Sequence, residues 1–149
     1  MPSTAPTVAG QLLRVSDLSQ LVPTSPDPSG ITWMPDRNRL MIVDGEVNEM
    51  PLYQGTNMYE TTLDPTVTKR GTTLPVHQEP TGVAYNQSNG HVFVSNDDLK
   101  RVYEVDDGPD ATFGTADDVV TSFSTAALGN TDPEDVAYDD ATGDLFIVD

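Results

Sequence analysis

The sequence of 149 residues contains no cysteine, and it has only 7 Lys and Arg against 24 Asp and Glu. The absence of cysteine excludes disulfides, thiolate metal sites and a cysteine nucleophile. A net charge of −17 makes nucleic acid and anionic membrane surfaces unfavourable partners, because both are negative themselves. No apolar run approaches the roughly 18 residues of a membrane span. Divalent cations are the small partners that this composition favours.

The composition also favours strands over helices. Twelve Pro and eleven Gly are interspersed with Val, Thr and Tyr, which is typical of short strands joined by turns. The acidic residues are concentrated late in the chain: no Lys, Arg or His follows Arg101, whereas 13 carboxylates do. Such a bias is compatible with a solvated acidic face, or with carboxylates that a cation holds together.

An internal repeat occurs in three copies that align without a gap. Each copy begins with an acidic residue and a proline, and the prolines Pro28, Pro80 and Pro133 are spaced by 52 and 53 residues. The fifth residue after each proline is aromatic, and the sixteenth is Asp or Asn. The aligned segments are DPSGITWMPDRNRLMIVD (27–44), EPTGVAYNQSNGHVFVSN (79–96) and DPEDVAYDDATGDLFIVD (132–149).

Each copy predicts a β-hairpin followed by further strands. A short strand leads through a polar turn, in two copies with an Asn-Gly or Thr-Gly step that suits positive φ, to a more apolar strand. A third strand is predicted at 58–63 and 101–105, and a fourth at 67–74 and 119–125. Four antiparallel strands every 50 or so residues describe the blade of a β-propeller.

The predicted organisation is therefore all-β, with a flexible segment at 1–10 and about 11 strands in residues 11–149. Residues 11–26 align with the stretch before Pro133 and are predicted as the outer strand of a preceding blade. Blades follow at 27–78 and 79–131, and a half blade at 132–149. A propeller closes with about four to eight blades. We therefore expect either a portion of a longer protein, which the absence of capping residues favours, or closure by a second copy through open blade edges.

The opening DP-x-[GD]-[IV]-[AT]-[YW] and the ending LFIVD resemble the six-bladed calcium β-propeller superfamily over nearly the whole chain, from about residue 14 to 149. That group includes the gluconolactonase/senescence-marker, strictosidine-synthase-like, NHL, SdiA-regulated and esterase-like phytase propellers. In the gluconolactonase-like members, a Glu at the start of an inner strand binds an axial metal. The resemblance places Glu134 at that position, where the other two copies have Ser29 and Thr81.

An acidic loop is predicted between the third and fourth strands of the second blade, with the sequence DDGPDATFGTADD. Calcium takes six to eight oxygen ligands, which a loop rich in Asp and Gly can supply. The loop resembles DxGxDGxFGTxDD-type loops of secreted bacterial proteins, except that Ala111 stands where a Gly is expected. A solvated acidic turn is the alternative. Together with Glu134, the predicted metal ligands are Asp106, Asp107, Asp110, Asp117 and Asp118.

The two histidines, His77 and His91, do not stand in a recognisable nucleophile arrangement, and His91 is expected at the surface.

The repeat, the acidic loop and the resemblance together predict a calcium-binding β-propeller scaffold or interaction module of an extracellular or cell-surface bacterial protein. The N-terminal residues lack the pattern of a secretion signal. The competing hypothesis is a fragment of a calcium-dependent lactonase or phosphoesterase, with Glu134 as an axial ligand. Under both hypotheses we expect no activity from the isolated chain.

Overall fold

The computed structural model of the chain is all-β over the residues that it describes, which are 10–45, 53–64, 66–74, 76 and 78–149. Two 3-10 helices, Leu18–Gln20 and Ala126–Leu128, accompany ten strands, and the described residues contain no α-helix. Nor does a membrane-spanning helix occur among them. The strands are β1 Pro28–Met34, β2 Arg39–Asp44, β3 Met58–Thr61, β4 Val67–Gly71, β5 Val83–Asn86, β6 His91–Asn96, β7 Arg101–Asp106, β8 Val119–Ser124, β9 Asp135–Asp139 and β10 Asp144–Val148.

Consecutive strands pair in antiparallel fashion into three sheets. The first sheet has the order β1-β2-β3-β4, the second β5-β6-β7-β8, and β9 and β10 form a two-stranded hairpin. The aromatic residue of each repeat holds the same register: Trp33 lies opposite Leu40, Tyr85 opposite Val92 and Tyr138 opposite Leu145. The all-β prediction is confirmed, and the three hairpins are structurally equivalent.

Positive-φ residues close the hairpins, as the turn sequences predict. Gly90 has a φ of 82° and Gly143 a φ of 79°, and Asn38 adopts a φ of 52° in the first turn. The N–H of Gly90 donates to the carbonyl of Asn86 at 2.9 Å, and that of Gly143 to Asp139 at 2.8 Å. These residue types tolerate the left-handed region that such turns require.

The core lies between the faces of successive sheets. One buried cluster joins the first sheet to the second and includes Met41, Val43, Tyr85 and Val94. Another joins the second sheet to the hairpin, where the rings of Phe93 and Tyr138 stack with centroids 5.3 Å apart. Each sheet therefore buries its apolar faces only by packing against the neighbouring sheet.

The first strands of the three repeats, β1, β5 and β9, lie side by side at an edge that we call the inner edge. There the hydroxyl of Ser29 donates to the carbonyl of Pro80 at 2.6 Å, and the hydroxyl of Thr81 donates to the carbonyl of Pro133 at 2.7 Å. The same repeat position thus makes the same bond to the next repeat. Gly30 allows this approach, since a Cβ on it would lie 2.9 Å from the Cα of Gly82.

The segment before β1 differs from the predicted outer strand. Residues 10–27 contain the 3-10 helix Leu18–Gln20, capped by Asp17, and no strand, so that ten strands are found rather than about eleven. Leu21 instead packs on Ile42 and Tyr59 of the first sheet. A strand needs a neighbouring strand for its backbone groups, and this segment pairs with none of the strands that the structure describes. Of the segment predicted to be flexible, residues 1–9 lie outside the described part.

The inner edge yields a stability prediction. In Gly82→Ala the added Cβ would collide with Asp135, whose Cα would be 2.6 Å away, and with the Ser95 hydroxyl at 2.9 Å. We expect a loss of about 1–3 kcal/mol in the free energy of unfolding, because β5 and β9 must move apart. Urea unfolding measures this loss. Gly10→Ala is the control, since no described atom lies within 4 Å of its added Cβ. Equal midpoints for the two variants would contradict the packing.

Candidate metal centre

The acidic loop between β7 and β8 belongs to the second sheet but lies against the first. The N–H of Thr72 donates to the carbonyl of Gly114 at 2.9 Å. Phe113 is 2% exposed and joins the core between the two sheets. Gly71 leaves room for this contact, because a Cβ on it would meet the Phe113 carbonyl and the Cα of Gly114. The loop is therefore part of the contact between the sheets.

Arg37, in the turn between β1 and β2, holds one end of the loop. Its Nη2 is 2.6 Å from Oδ2 of Asp107, and its guanidinium carbon lies 4.7 Å from the centre of the Phe113 ring. Its Nη1 is 3.4 Å from Oε2 of Glu60, whose side chain is buried. Arg37 is thus a cation shared by two carboxylates and an aromatic face. A metal ion would have to displace the guanidinium before it could bind Asp107.

Asp106, the last residue of β7, also has its own partners. Its Oδ1 accepts from the N–H of Gly108 at 3.1 Å, and its Oδ2 is 3.6 Å from Nε2 of His91. His91 is half-buried rather than at the surface, and its Nδ1 lies 2.8 Å from Glu104. That Asp106 and Asp107 bind a cation together with the other loop acids stays a prediction, and these contacts show only that both carboxylates have partners in the protein.

The other three loop carboxylates converge on the hydroxyl of Thr115. The Thr115 Oγ1 is 2.7 Å from Oδ1 of Asp117, 3.1 Å from Oδ2 of Asp110 and 3.2 Å from Oδ1 of Asp118. The carbonyl of Thr112 is also 3.2 Å away. A hydroxyl carries a single proton and can satisfy only one acceptor well. Four acceptor oxygens, three of them on carboxylates, therefore surround one hydrogen, which can satisfy only one of them well.

Backbone amides fix these carboxylates in place. The N–H of Thr112 donates to Asp110 at 2.7 Å, that of Asp110 to Asp117 at 3.1 Å, and that of Gly114 to Asp118 at 2.7 Å. The hydrogen bond from the Thr115 hydroxyl lowers the pKa of Asp117 below its ordinary value, whereas burial raises the pKa of Asp118. The loop thus holds one readily ionised and one reluctantly ionised carboxylate against the same hydroxyl.

The backbone of the loop passes through the left-handed region three times. Gly108 has a φ of 60° and Gly114 a φ of 80°, values that glycine adopts without strain. Ala111 has a φ of 55° at the position where the resembling loops carry a glycine. The loop therefore keeps the backbone path that this glycine pattern predicts, at the expense of some strain at Ala111.

A second acidic site lies at the inner edge, in an open pocket of about 290 Å³. Glu134, Asp97 and Asp132 have carboxylate oxygens within 4.8 Å of one another, as do Glu79, Asp97 and Asp98. Among the described residues these are the only carboxylate groups that meet this distance. The loop acids do not, because the Thr115 hydroxyl lies among them. The pocket is lined by Asp27, Ser29, Gly45, Glu79, Pro80, Thr81, Asp97 and Glu134.

Equivalent repeat positions meet in this pocket. Ser29, Thr81 and Glu134 each follow a repeat proline, but the hydroxyls of the first two donate to the next repeat. Glu134 is exposed and has no such neighbour among the described residues. Its proximity to Asp97 and Asp132 was not predicted. The signal for Asp132 was present in the sequence, since it is the acidic residue that opens its repeat; nothing local to Asp97 indicates it.

The Asp or Asn that recurs at the end of the second strand has a structural role in two repeats. The Oδ2 of Asp44 accepts from the Ser25 hydroxyl at 2.7 Å and from the N–H of Asp27 at 2.9 Å. The Nδ2 of Asn96 donates to the carbonyl of Glu79 at 2.7 Å. Both side chains thus tie the chain before the first strand to the end of the second strand, and they are not free to bind a ligand.

Together these features define an all-β protein of repeated antiparallel sheets that carries two clusters of acidic side chains. No family model matches the chain, and no curated protein matches it in sequence.

The contact between Arg37 and the loop can be tested by unfolding. Arg37→Met keeps the volume but leaves Asp107 and Glu60 without their shared cation, so we expect a loss of about 2–3 kcal/mol in the free energy of unfolding. Arg39→Met is the matched control, because the Arg39 guanidinium reaches only the carbonyl of Asn38 among the described residues. Urea midpoints measure both variants. Losses of the same size would show that Arg37 has no special role.

Proposed function

We propose that this chain is a calcium-binding β-propeller scaffold of an extracellular or cell-surface bacterial protein, with the two sheets and the hairpin as consecutive blades. The observation that carries the proposal is the convergence of Asp110, Asp117, Asp118 and the Thr112 carbonyl on the Thr115 hydroxyl. Calcium prefers oxygen ligands of this kind and tolerates irregular geometry. Water and further carbonyls would complete its six to eight ligands.

The role of the ion follows from the position of the loop. The loop packs on the first sheet through Phe113, Gly114 and the Arg37 contact. A cation that removes the repulsion among Asp110, Asp117 and Asp118 would stabilise the loop and, through it, the contact between the two sheets. Calcium would then be structural rather than catalytic. A site with three carboxylates suits the weak affinities, about 10⁻⁴–10⁻³ M, of extracellular calcium modules.

Thermal unfolding with and without calcium tests this proposal. We expect the wild type to melt at a higher temperature in calcium than in chelator, with a gain of about 2.7 kcal/mol at a hundredfold excess over Kd. Asp117→Asn removes one of the charges around Thr115 and should weaken binding about tenfold, equivalent to about 1.4 kcal/mol. Calorimetric titration measures the affinity.

The control variants separate the two acidic clusters. Asp144→Asn removes an exposed charge at the turn end of the β9–β10 hairpin, where Asp144 lies opposite Asp139, whereas Glu134 lies beside the other end of the hairpin. This variant should bind calcium as the wild type does. Glu134→Gln changes only the inner-edge pocket. A wild type that melts identically in calcium and in chelator would rule out the calcium scaffold, and a defect in Glu134→Gln alone would move the site to the inner edge.

The second candidate is a portion of a calcium-dependent hydrolase of the lactonase or phosphoesterase type. The observation that favours it is the approach of Glu134, Asp97 and Asp132 at the inner edge, where the resemblance places an axial metal ligand. Catalysis would need further oxygen ligands converging on the same ion, because calcium takes six to eight. The Ser29 and Thr81 hydroxyls already donate to the next repeat and so would not readily provide them.

An activity assay provides a positive test for the hydrolase, because calcium-dependent hydrolysis by the chain alone would contradict the scaffold. For a scaffold we expect the purified chain to show no hydrolysis of a lactone or of a phosphate monoester in calcium above the background of a chelator-treated sample. Hydrolysis that requires calcium and is lost in Glu134→Gln, but kept in Asp144→Asn, would favour the hydrolase and contradict the scaffold proposal.

A further inference from the structure

Each repeat presents the same apolar face toward the repeat before it, which we call the back face. It consists of the residues three, five, twelve and fourteen positions after the repeat proline. In the second sheet these residues belong to the cluster shared with the first sheet, and in the hairpin they belong to the cluster shared with the second sheet. They are Val83, Tyr85, Val92 and Val94 in the second sheet, and Val136, Tyr138, Leu145 and Ile147 in the hairpin.

The opposite face of each repeat, the front face, packs toward the next repeat. In the first sheet Met41 and Val43 lie in the cluster shared with the second sheet. In the second sheet Ala84 and Phe93 lie in the cluster shared with the hairpin. The structure therefore contains two examples of one interface, in which the front face of a repeat covers the back face of the following one.

Among the described residues, one face of each kind has no neighbouring sheet. On the back face of the first sheet, Ile31 is 61% exposed and Trp33 is 40% exposed. Leu21 and Leu18 pack on Ile42 and Tyr59, and the groove beside them has a volume of about 210 Å³. On the front face of the hairpin, Phe146 is 59% and Val148 is 55% exposed. Exposed side chains of this size, grouped on one sheet face, mark an interaction surface.

We propose that these two open faces bind each other between copies of this chain, so that the hairpin of one copy covers the first sheet of the next, head to tail. The occupant follows from the repeat itself, because the open front face has the positions and the apolar character of the two front faces that are already packed. Trp33 would take the place that Tyr85 and Tyr138 occupy in the internal interfaces.

Two features make this association weak. Gly30 and Gly82 occupy the second position after the repeat proline and let the first strands approach closely, but the third repeat has Asp135 there. In the proposed contact the Asp135 side chain would lie against Gly30 of the next copy. Its volume would keep the inner edges of the two copies further apart than the inner edges of successive repeats. The net charge of −17 also repels the copies, so that salt should strengthen the association by screening.

Sedimentation velocity over a concentration series tests the proposal. We expect the average mass to rise above 16.1 kDa with protein concentration and with salt, in chelator as well as in calcium. Association in chelator separates this proposal from calcium binding. Asp135→Gly should lower the dissociation constant at least severalfold, because it restores the glycine of the internal interfaces.

Two variants test the head-to-tail geometry. Phe146→Glu damages only the front face and Trp33→Glu only the back face, so each variant alone should be monomeric. An equal mixture should form a 1:1 dimer, because one variant supplies an intact back face and the other an intact front face. Leu128→Glu is the control: Leu128 is 75% exposed but lies on neither face, and its variant should associate as the wild type does.

Three outcomes would overturn the proposal. A wild type that stays monomeric at its highest soluble concentration in high salt shows that the open faces do not bind each other and assigns them to a different occupant. Self-association of one variant alone shows a symmetric contact of its intact face, and self-association of both shows that another surface is responsible. Two monomeric variants that fail to pair when mixed show that one intact front face does not bind one intact back face. Circular dichroism confirms that each variant is folded.

Discussion

Burial of apolar side chains between successive sheets is the interaction on which the rest of the structure depends. A four-stranded sheet has two faces, and in this chain both are apolar. A single sheet can therefore bury its apolar surface only if it has a neighbouring sheet on each side. The repeat solves this by placing a tyrosine of one sheet against the preceding sheet, as Tyr85 and Tyr138 show. Burial also raises the pKa of Tyr85 to about 12, and its hydroxyl donates to Asp36 of the preceding hairpin at 2.8 Å.

Polar contacts between the sheets determine how these apolar faces align. At the inner edge, Ser29 and Thr81 each donate to a proline carbonyl one repeat away. These hydrogen bonds fix the position of the first strand of one repeat relative to the first strand of the next. Beyond the other end of β1, Arg37 and the acidic loop connect the first two sheets. Apolar packing is non-directional, whereas hydrogen bonds and ion pairs require a defined geometry. The faces supply most of the free energy, and the polar contacts select one arrangement.

The fold was predictable from the sequence because its signals are local and repeat three times. Hairpin turns, alternating apolar residues and the spacing of the prolines determine strand pairing, and Trp33, Tyr85 and Tyr138 hold equivalent registers as the alignment predicts. The arrangement of the carboxylates in the acidic loop was predictable only in part. Asp107 has the same chemistry as Asp117 in the sequence, and only the approach of Arg37 from a different sheet distinguishes them. The segment before β1 was misassigned because a strand also depends on a neighbour, which its own sequence does not specify.

The acidic loop combines packing contacts between two sheets with a cluster of carboxylates. Phe113 and Asp107 anchor the loop to the first sheet. These two contacts limit how far the loop residues up to Asp118 can move. Within that limit, amides orient Asp110, Asp117 and Asp118 toward a single hydroxyl, although neighbouring carboxylates repel one another. Each of these carboxylates accepts from a backbone N–H, but all three share the single proton of the Thr115 hydroxyl. A cation that bound these oxygens in the folded protein and not in the unfolded one would therefore raise the free energy of unfolding, and the packing of the loop would pass that gain to the contact between the two sheets.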